Sequence, residues 1–143
     1  MEVTLNGARI NYERSGSGFP VLFIHAGIAD SRMWEPQAKT WADRFDMIRP
    51  DLRGFGDSDL PPAPYSNRAD LAGLLDHLGL YRAHVIGCSM GGTVAIDLAV
   101  EHPDRVERLV LIGRGSAGRT WARPTPRCSR TSRPPTRRAT WTP

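Results

Sequence analysis

The sequence predicts an α/β fold, a sheet that becomes parallel and carries helices on both faces. Three observations support this. Strand and helix signals alternate along residues 1–112; Val21-Leu-Phe-Ile is an unbroken apolar run, as in a strand buried on both faces; and Leu71, Leu74, Leu75 and Leu78 recur at i, i+3, i+4 and i+7.

Taken in order, residues 3–5 and 9–13 read as short strands joined at Asn6-Gly7, a dipeptide suited to a hairpin turn. Ser15-Gly-Ser-Gly is then a loop. The strand at 21–24 stops at His25-Ala-Gly, and Ser31 is placed to cap a helix with Trp34, Ala38 and Trp41 on one side. Residues 45–48 form the next strand, followed by a glycine-rich turn, Asp51-Leu-Arg-Gly-Phe-Gly-Asp-Ser. Pro61, Pro62 and Pro64 bar regular structure beyond it. Ser66 or Asn67 caps the leucine-patterned helix, and Gly79 ends it. A strand beginning near Ala83 leads to a helix over 93–102 that Pro103 halts, and Val106–Ile112 is a last strand. No internal repeat is visible.

The formal net charge is +4, but it is unevenly placed. All fifteen acidic residues lie between Glu2 and Glu107, whereas eight of the nineteen basic ones are arginines at position 114 or later. Residues 1–113 therefore carry eleven basic against fifteen acidic groups, the balance of an ordinary acidic domain. Residues 114–143 contain no Val, Ile, Leu, Met, Phe or Tyr, too little apolar surface to offset the entropy of ordering a backbone. The expected organisation is thus a folded region over 1–113 and a disordered Arg/Pro-rich segment over 114–143. The composition of that segment matches a shifted reading frame in a G/C-rich gene, so frameshift or truncation is the expectation, checked by reading the gene in its other frames. No stretch reaches membrane-spanning length and no signal peptide opens the chain, which makes the cytoplasm the expected compartment. Cys88 and Cys128 are too few and too far apart for a disulfide framework or a metal site, and no cofactor is implied.

The most informative run is residues 83–92, Ala-His-Val-Ile-Gly-Cys-Ser-Met-Gly-Gly, an apolar strand that breaks into a G-x-S-x-G turn. Alone the pattern arises by accident in roughly one chain in twenty of this length. Between a strand and a helix it gains weight, because a sharp turn there lifts the Ser89 hydroxyl above the sheet edge and the flanking glycines leave room for it. The amides that open the next helix then face the place where an oxyanion would form, and Met90 N–H is the obvious donor. The bland alternative is a glycine-rich turn without catalysis.

Here the sequence resembles the α/β-hydrolase superfamily, close to its soluble esterase, lactonase and C–C hydrolase members. His25-Ala-Gly27 is similar to the family's H-G-x loop after the third strand, with Ala26 where glycine is usual. Asp51-x-Arg53-Gly54-x-Gly56-x-Ser58 is similar to its turn after the fourth strand, and Gly87-Cys-Ser89-Met-Gly91 to its nucleophile elbow after the fifth. The resemblance covers residues 1–112. It implies a partial α/β-hydrolase fold, a mostly parallel sheet flanked by helices and truncated after about the sixth strand. It further implies Ser89 as nucleophile, the Gly27 and Met90 amides as oxyanion hole, His25 as the residue shaping that loop, and a small-molecule substrate in full-length relatives.

In that family an acid and then a histidine follow the serine in sequence. Downstream of Ser89 stand only Asp97, Glu101, Asp104, Glu107 and His102. Asp97 and His102 fall about 12 and 20 Å along the helix axis from Ser89, beyond hydrogen-bonding reach. His77 belongs to the preceding helix and His84 to the far end of the elbow strand, leaving His25 as the one histidine at the right end of the sheet and a conceivable substitute base. The chain as written is expected to be nearly inactive. Cys88 reads as a buried thiol rather than a nucleophile, Arg53 and Asp57 as parts of a self-held turn rather than substrate contacts, and Trp34 and Trp41 as core. The glycine-rich turns lack the lysine or downstream acid of a phosphate site. A different class of function, nucleic-acid or protein binding through the Arg-rich segment, finds little support: only Trp121 and Trp141 are available to interleave, and no base-reading fold is evident.

Overall fold

The computed structural model of the chain describes residues 1–60 and 64–113. The irregular stretch expected at Pro61 and Pro62 and the disordered segment expected from 114 onward lie outside the described residues. Asn6 and Gly7 both take positive φ, 48° and 79°, and their turn joins β1 (Glu2–Leu5) to β2 (Ala8–Ser15) as an antiparallel hairpin. The other strands are β3 (Phe19–Ile24), β4 (Phe45–Pro50), β5 (Ala83–Cys88) and β6 (Val106–Ile112). They form one sheet in the order β1-β2-β4-β3-β5-β6. β2 pairs antiparallel with β4, while the β3–β4, β3–β5 and β5–β6 pairs are parallel, so the sheet becomes parallel as expected.

The unbroken apolar run of β3 follows from its place in the middle of the sheet. Successive side chains alternate between faces. Leu22 and Ile24 enter a core with Ile48, Val85, the α2 (Asn67–His77) residues Leu71, Leu74 and Leu75, and Val94, Ala95 and Leu98 of α3 (Met90–Glu101). Val21 and Phe23 face the other way, against Met47, Trp34 and Ala38, with the Phe23 and Trp34 rings 5.1 Å apart. Leu74 and Leu75 are wholly buried, and each such side chain contributes about 1.5–3 kcal/mol. Trp34 is core, as expected, and Trp41 packs at its margin.

Two caps decide between sequence alternatives. Ser66, not Asn67, caps α2, its hydroxyl accepting from Ala69 N–H at 3.3 Å. Before α1 (Glu35–Trp41) lies a 3-10 turn, Ser31–Trp34, and its cap is Asp30 rather than Ser31. The reason is tertiary: Ser31 is buried and its N–H donates to the Asp51 carboxylate at 2.7 Å. The last helix also starts earlier than its composition suggested, at Met90 rather than Thr93, so it springs directly from Ser89.

Candidate active site

The strand-to-helix turn is built by glycines in contact. A Cβ on Gly87 would stand 2.5 Å from the Gly91 carbonyl oxygen and 2.8 Å from Gly92 Cα, so β5 folds back onto α3 with no room for a side chain. Between them Ser89 takes φ 51°, ψ −113° at the N-cap of α3. That region is nearly reserved for glycine, and a non-glycine residue there carries strain of about 1–3 kcal/mol. Ser89 is exposed. Its N–H donates to Ile112 O at 2.9 Å and its carbonyl accepts from Gly92 and Thr93 N–H, which anchors the turn to β6 and to the helix.

Met90 occupies the first helical position, where an amide has no intrahelical acceptor. The loop after β3 comes to meet it: a Cβ on Gly27 would lie 3.1 Å from Met90 Sδ. Gly91 lets the helix start approach the end of β3, since its Cβ would fall 2.4 Å from the carbonyl oxygens of both Ile24 and His25. The two residues expected to stabilise an oxyanion, Gly27 and Met90, are thus neighbours at the exposed turn. Ala26 is accommodated without glycine because its φ is not positive.

His25 is fully buried and both ring nitrogens are engaged. Leu52 N–H donates to Nε2 at 3.0 Å, which makes Nε2 the bare nitrogen; Nδ1 therefore carries the hydrogen and donates to the Ala26 carbonyl at 2.8 Å. The Phe55 ring packs edge-on at 5.1 Å. With its only lone pair already occupied, His25 is not a proton acceptor for Ser89. The substitute-base option considered from sequence is corrected on this ground, and His25 serves as a tie between the β3 loop and the β4 loop.

The turn after β4 is organised around the buried Asp51 carboxylate, which accepts from Ser31 N–H, from Asn11 Nδ2 at 2.8 Å and from Asp57 N–H at 3.0 Å. Burial pushes this carboxyl up, but the hydrogen bonds from Asn11, Ser31 and Asp57 outweigh it and hold it below the ordinary value. A Cβ on Gly56 would overlap the carboxylate at 2.2 Å, which accounts for that glycine. Ser58 Oγ donates to Asp51 O and accepts from Asn11 N–H. Arg53 turns away from the opening into a buried pair with Asp70, at 2.5 and 2.7 Å, and also donates to the carbonyls of Leu5 and Asn6. Both Arg53 and the Asp57 amide thus belong to a self-held turn. Sequence reasoning missed Asp70 and Asn11, because nothing local marks either as a partner of residues 17 and 40 positions away.

The remaining titratable groups lie elsewhere. His84 sits at the start of β5, stacked on Phe19 at 4.5 Å, and burial with the nearby Arg108 pushes its imidazole below the ordinary value. His77 is exposed and meets Tyr12 edge-on. Glu101 pairs with Arg68, Asp104 accepts from Tyr81 Oη, and Glu107 pairs with Arg82 at 2.8 Å. Asp97 and His102 lie along and beyond α3, away from its start. Among the described residues, none of these groups is hydrogen-bonded to Ser89 Oγ. Cys88 is a free thiol, partly rather than fully buried as expected from sequence, because few residues cover the α1-side face of β5 and β6. Among the described residues no helix is long and apolar enough to cross a membrane. The arginines behind the nucleic-acid reading begin at 114, outside the described residues.

A family described as alpha/beta hydrolase fold matches residues 20–134. The match runs beyond residue 112, where the resemblance read from motifs ends, and beyond the boundary expected after 113. The chain is 36% identical over 114 residues to a soluble epoxide hydrolase of Corynebacterium sp. (strain C12), covering 78% of this chain and 40% of that protein. It is 40% identical over 124 residues to a 2-hydroxymuconate semialdehyde hydrolase of Pseudomonas sp. (strain CF600), covering 82% and 43%. Among solved structures it is similar to the enol-lactonase from Burkholderia xenovorans LB400, with 33% identity and a TM-score of 0.72 over 76% of this chain and 45% of that one. The chain spans less than half the length of these curated relatives.

Proposed function

The chain belongs to the α/β-hydrolase fold family, and from that premise we propose that it carries the nucleophile and oxyanion hole of a serine hydrolase acting on an ester or related bond of a small molecule. The observation that supports this most is Ser89 itself, an exposed serine at φ 51° on the N-cap of α3, in a backbone conformation that costs stability. In the proposed reaction Ser89 Oγ bonds to the acyl carbon as its proton leaves. The carbonyl electron pair moves onto oxygen, which the Met90 and Gly27 amides hold. Collapse expels the leaving group, and water then releases the acyl group from Oγ.

The proton acceptor is the missing part. His25 is committed to Leu52 and Ala26, and no Asp, Glu or His follows Glu107 in the sequence. We infer that the acid and base of a working site come from outside these 143 residues. What they supply alone is the share of catalysis due to the oxyanion hole and binding, about 10³–10⁴ over water.

The test is prolonged exposure to a fluorophosphonate probe with mapping of the modified peptide, alongside p-nitrophenyl acetate turnover. Slow labelling confined to Ser89, lost in Ser89→Ala, is expected. Label absent from Ser89 would overturn the nucleophile assignment. Fast turnover that Ser89→Ala abolishes would overturn the claim that the base lies outside this chain.

A further inference from the structure

The loop after β3 turns sharply at Gly27 and Ile28. Ala29 N–H donates to Ala26 O at 3.0 Å across them, and neither residue takes positive φ. The same Ala26 carbonyl accepts from His25 Nδ1, so backbone and the buried imidazole together fix the turn. Ile28 takes no part in holding it. Its 99% exposure is the highest among the large apolar side chains described, against 79% for Leu60. A side chain that stays in water after folding contributes no burial energy to the fold, and its apolar surface is left for a ligand to cover.

A lone exposed isoleucine means nothing by itself. Its place gives it a meaning. Ile28 directly follows Gly27, the oxyanion donor assigned above, at about 3.8 Å between Cα atoms. Gly27 in turn lies against Met90, since a Cβ there would stand 3.1 Å from Sδ and 3.4 Å from Cβ of that side chain. Met90 and Phe55 are both half-buried, and Phe55 packs edge-on to His25 at 5.1 Å, so apolar surface gathers around the same turn. The charges that follow on the loop, Asp30 and Arg32, neutralise each other at 2.6 Å. A substrate whose carbonyl oxygen reaches the Gly27 amide brings the atoms bonded to that carbonyl within reach of Ile28.

Resting on the assignment of Ser89 and Gly27 above, we propose that Ile28 determines specificity by packing on the acyl chain of the substrate, so that the site favours esters of apolar alkyl or aryl acids over short or polar ones. The acyl side is chosen by proton supply. The leaving oxygen must take a proton as it departs, and the Gly27 loop has none to give. His25 Nδ1–H is committed to Ala26, and Asp30, whose carboxyl Arg32 holds down to about 2, is ionised. The leaving group therefore faces away from this loop, and the acyl chain lies along it. Because the turn is already fixed by its own hydrogen bonds, little ordering remains to oppose that contact.

The experiment follows modification of Ser89 in the full 143-residue chain by two fluorophosphonates whose carbon substituent on phosphorus, methyl or hexyl, stands in for the acyl chain. Intact mass and peptide mapping give the two rates. The parent is expected to react faster with the hexyl probe. Ile28→Ser is expected to lower the hexyl-to-methyl rate ratio about fivefold and Ile28→Leu to keep it, with no loss in urea midpoint and the parent's elution volume in size-exclusion chromatography. An unchanged ratio in Ile28→Ser with Ser89 still labelled overturns this inference alone. Ser89 unlabelled by both probes overturns the nucleophile assignment and this inference with it. A lower urea midpoint in Ile28→Ser would make the side chain structural, and a changed elution volume would make it a contact between proteins; either overturns the proposal.

Discussion

Gly91 packs so tightly on His25 that a Cβ added to it would stand 2.4 Å from the His25 carbonyl oxygen. The start of α3 and the loop after β3 therefore share one backbone contact surface. Gly91→Ala must push these segments apart, whereas Gly92→Ala meets its nearest neighbour, Gly87 O, at 3.4 Å. Overpacking of this kind costs about 1–3 kcal/mol, while alanine in a first helical turn is otherwise neutral or favourable. Urea unfolding is expected to show Gly91→Ala clearly destabilised and Gly92→Ala close to the parent; equal effects would mean the close approach does not constrain the turn.

Ser89 stores backbone strain that glycine would relieve. Ser89→Gly gains the strain energy, about 1–3 kcal/mol, against roughly 0.5–1 kcal/mol of added unfolded-state entropy. It should unfold at a higher denaturant midpoint than Ser89→Ala, which removes the same hydroxyl but keeps the strain. A midpoint no higher than that of Ser89→Ala would show an unstrained turn.

Asp51 links acid stability to the loops around the site. Its carboxyl lies below the ordinary value in the folded chain, so its contribution is present above the ordinary carboxylate range and is lost as pH falls through the depressed folded value. Asp51→Asn turns an amide toward donors that need an acceptor, and its deficit against the parent should be full near neutrality and shrink below about pH 4. Unfolding curves across that range check this. A deficit that does not change with pH would dissociate Asp51 ionisation from stability.

Arg53 and Asp70 form a buried pair, with side chains 3% and 5% exposed. Breaking it from one side leaves an uncompensated charge, so Arg53→Met or Asp70→Asn is expected to cost about 3–5 kcal/mol. The double change should cost less than the sum, because neither charge is then stranded. A double-mutant cycle measures this directly, and strict additivity would argue against coupling.

β6 pairs only with β5 among the described residues, and Leu109, Val110, Leu111 and Ile112 are each 37–48% exposed. A sheet edge with apolar side chains recruits partners. The purified chain is expected to self-associate in size-exclusion chromatography, and Val110→Lys to shift it toward monomer. A monomer at all concentrations with the parent residue would count against this.

Much of the fold was written in local chemistry. Asn6-Gly7 announced its hairpin because few other pairs accept two positive φ values, and the leucine spacing of 71–78 announced α2 because only a 3.6-residue period puts those side chains on one face. Gly87, Ser89 and Gly91 announced a strand-to-helix turn through spacing alone; Gly87 is required by contacts with Gly91 and Gly92 within five residues, whereas Gly91 is required by the distant Ile24 and His25. Asp30 rather than Ser31 as cap, Asp70 as the partner of Arg53, and the engaged Nε2 of His25 could not be read, because each depends on atoms 17 to 27 positions away in sequence.

The sequence by itself determined the alternation of elements, the sharp turn at Ser89 and the shortage of downstream acids and histidines, all properties of short segments or of residue inventory. Only the tertiary structure decided that β2 joins the parallel strands through β4, that His25 spends its lone pair on Leu52, and that Arg53 lies buried against Asp70. The physical reason is that a hydrogen bond or a buried charge belongs to whichever groups the folded chain brings within about 3 Å, and chain order does not encode that distance.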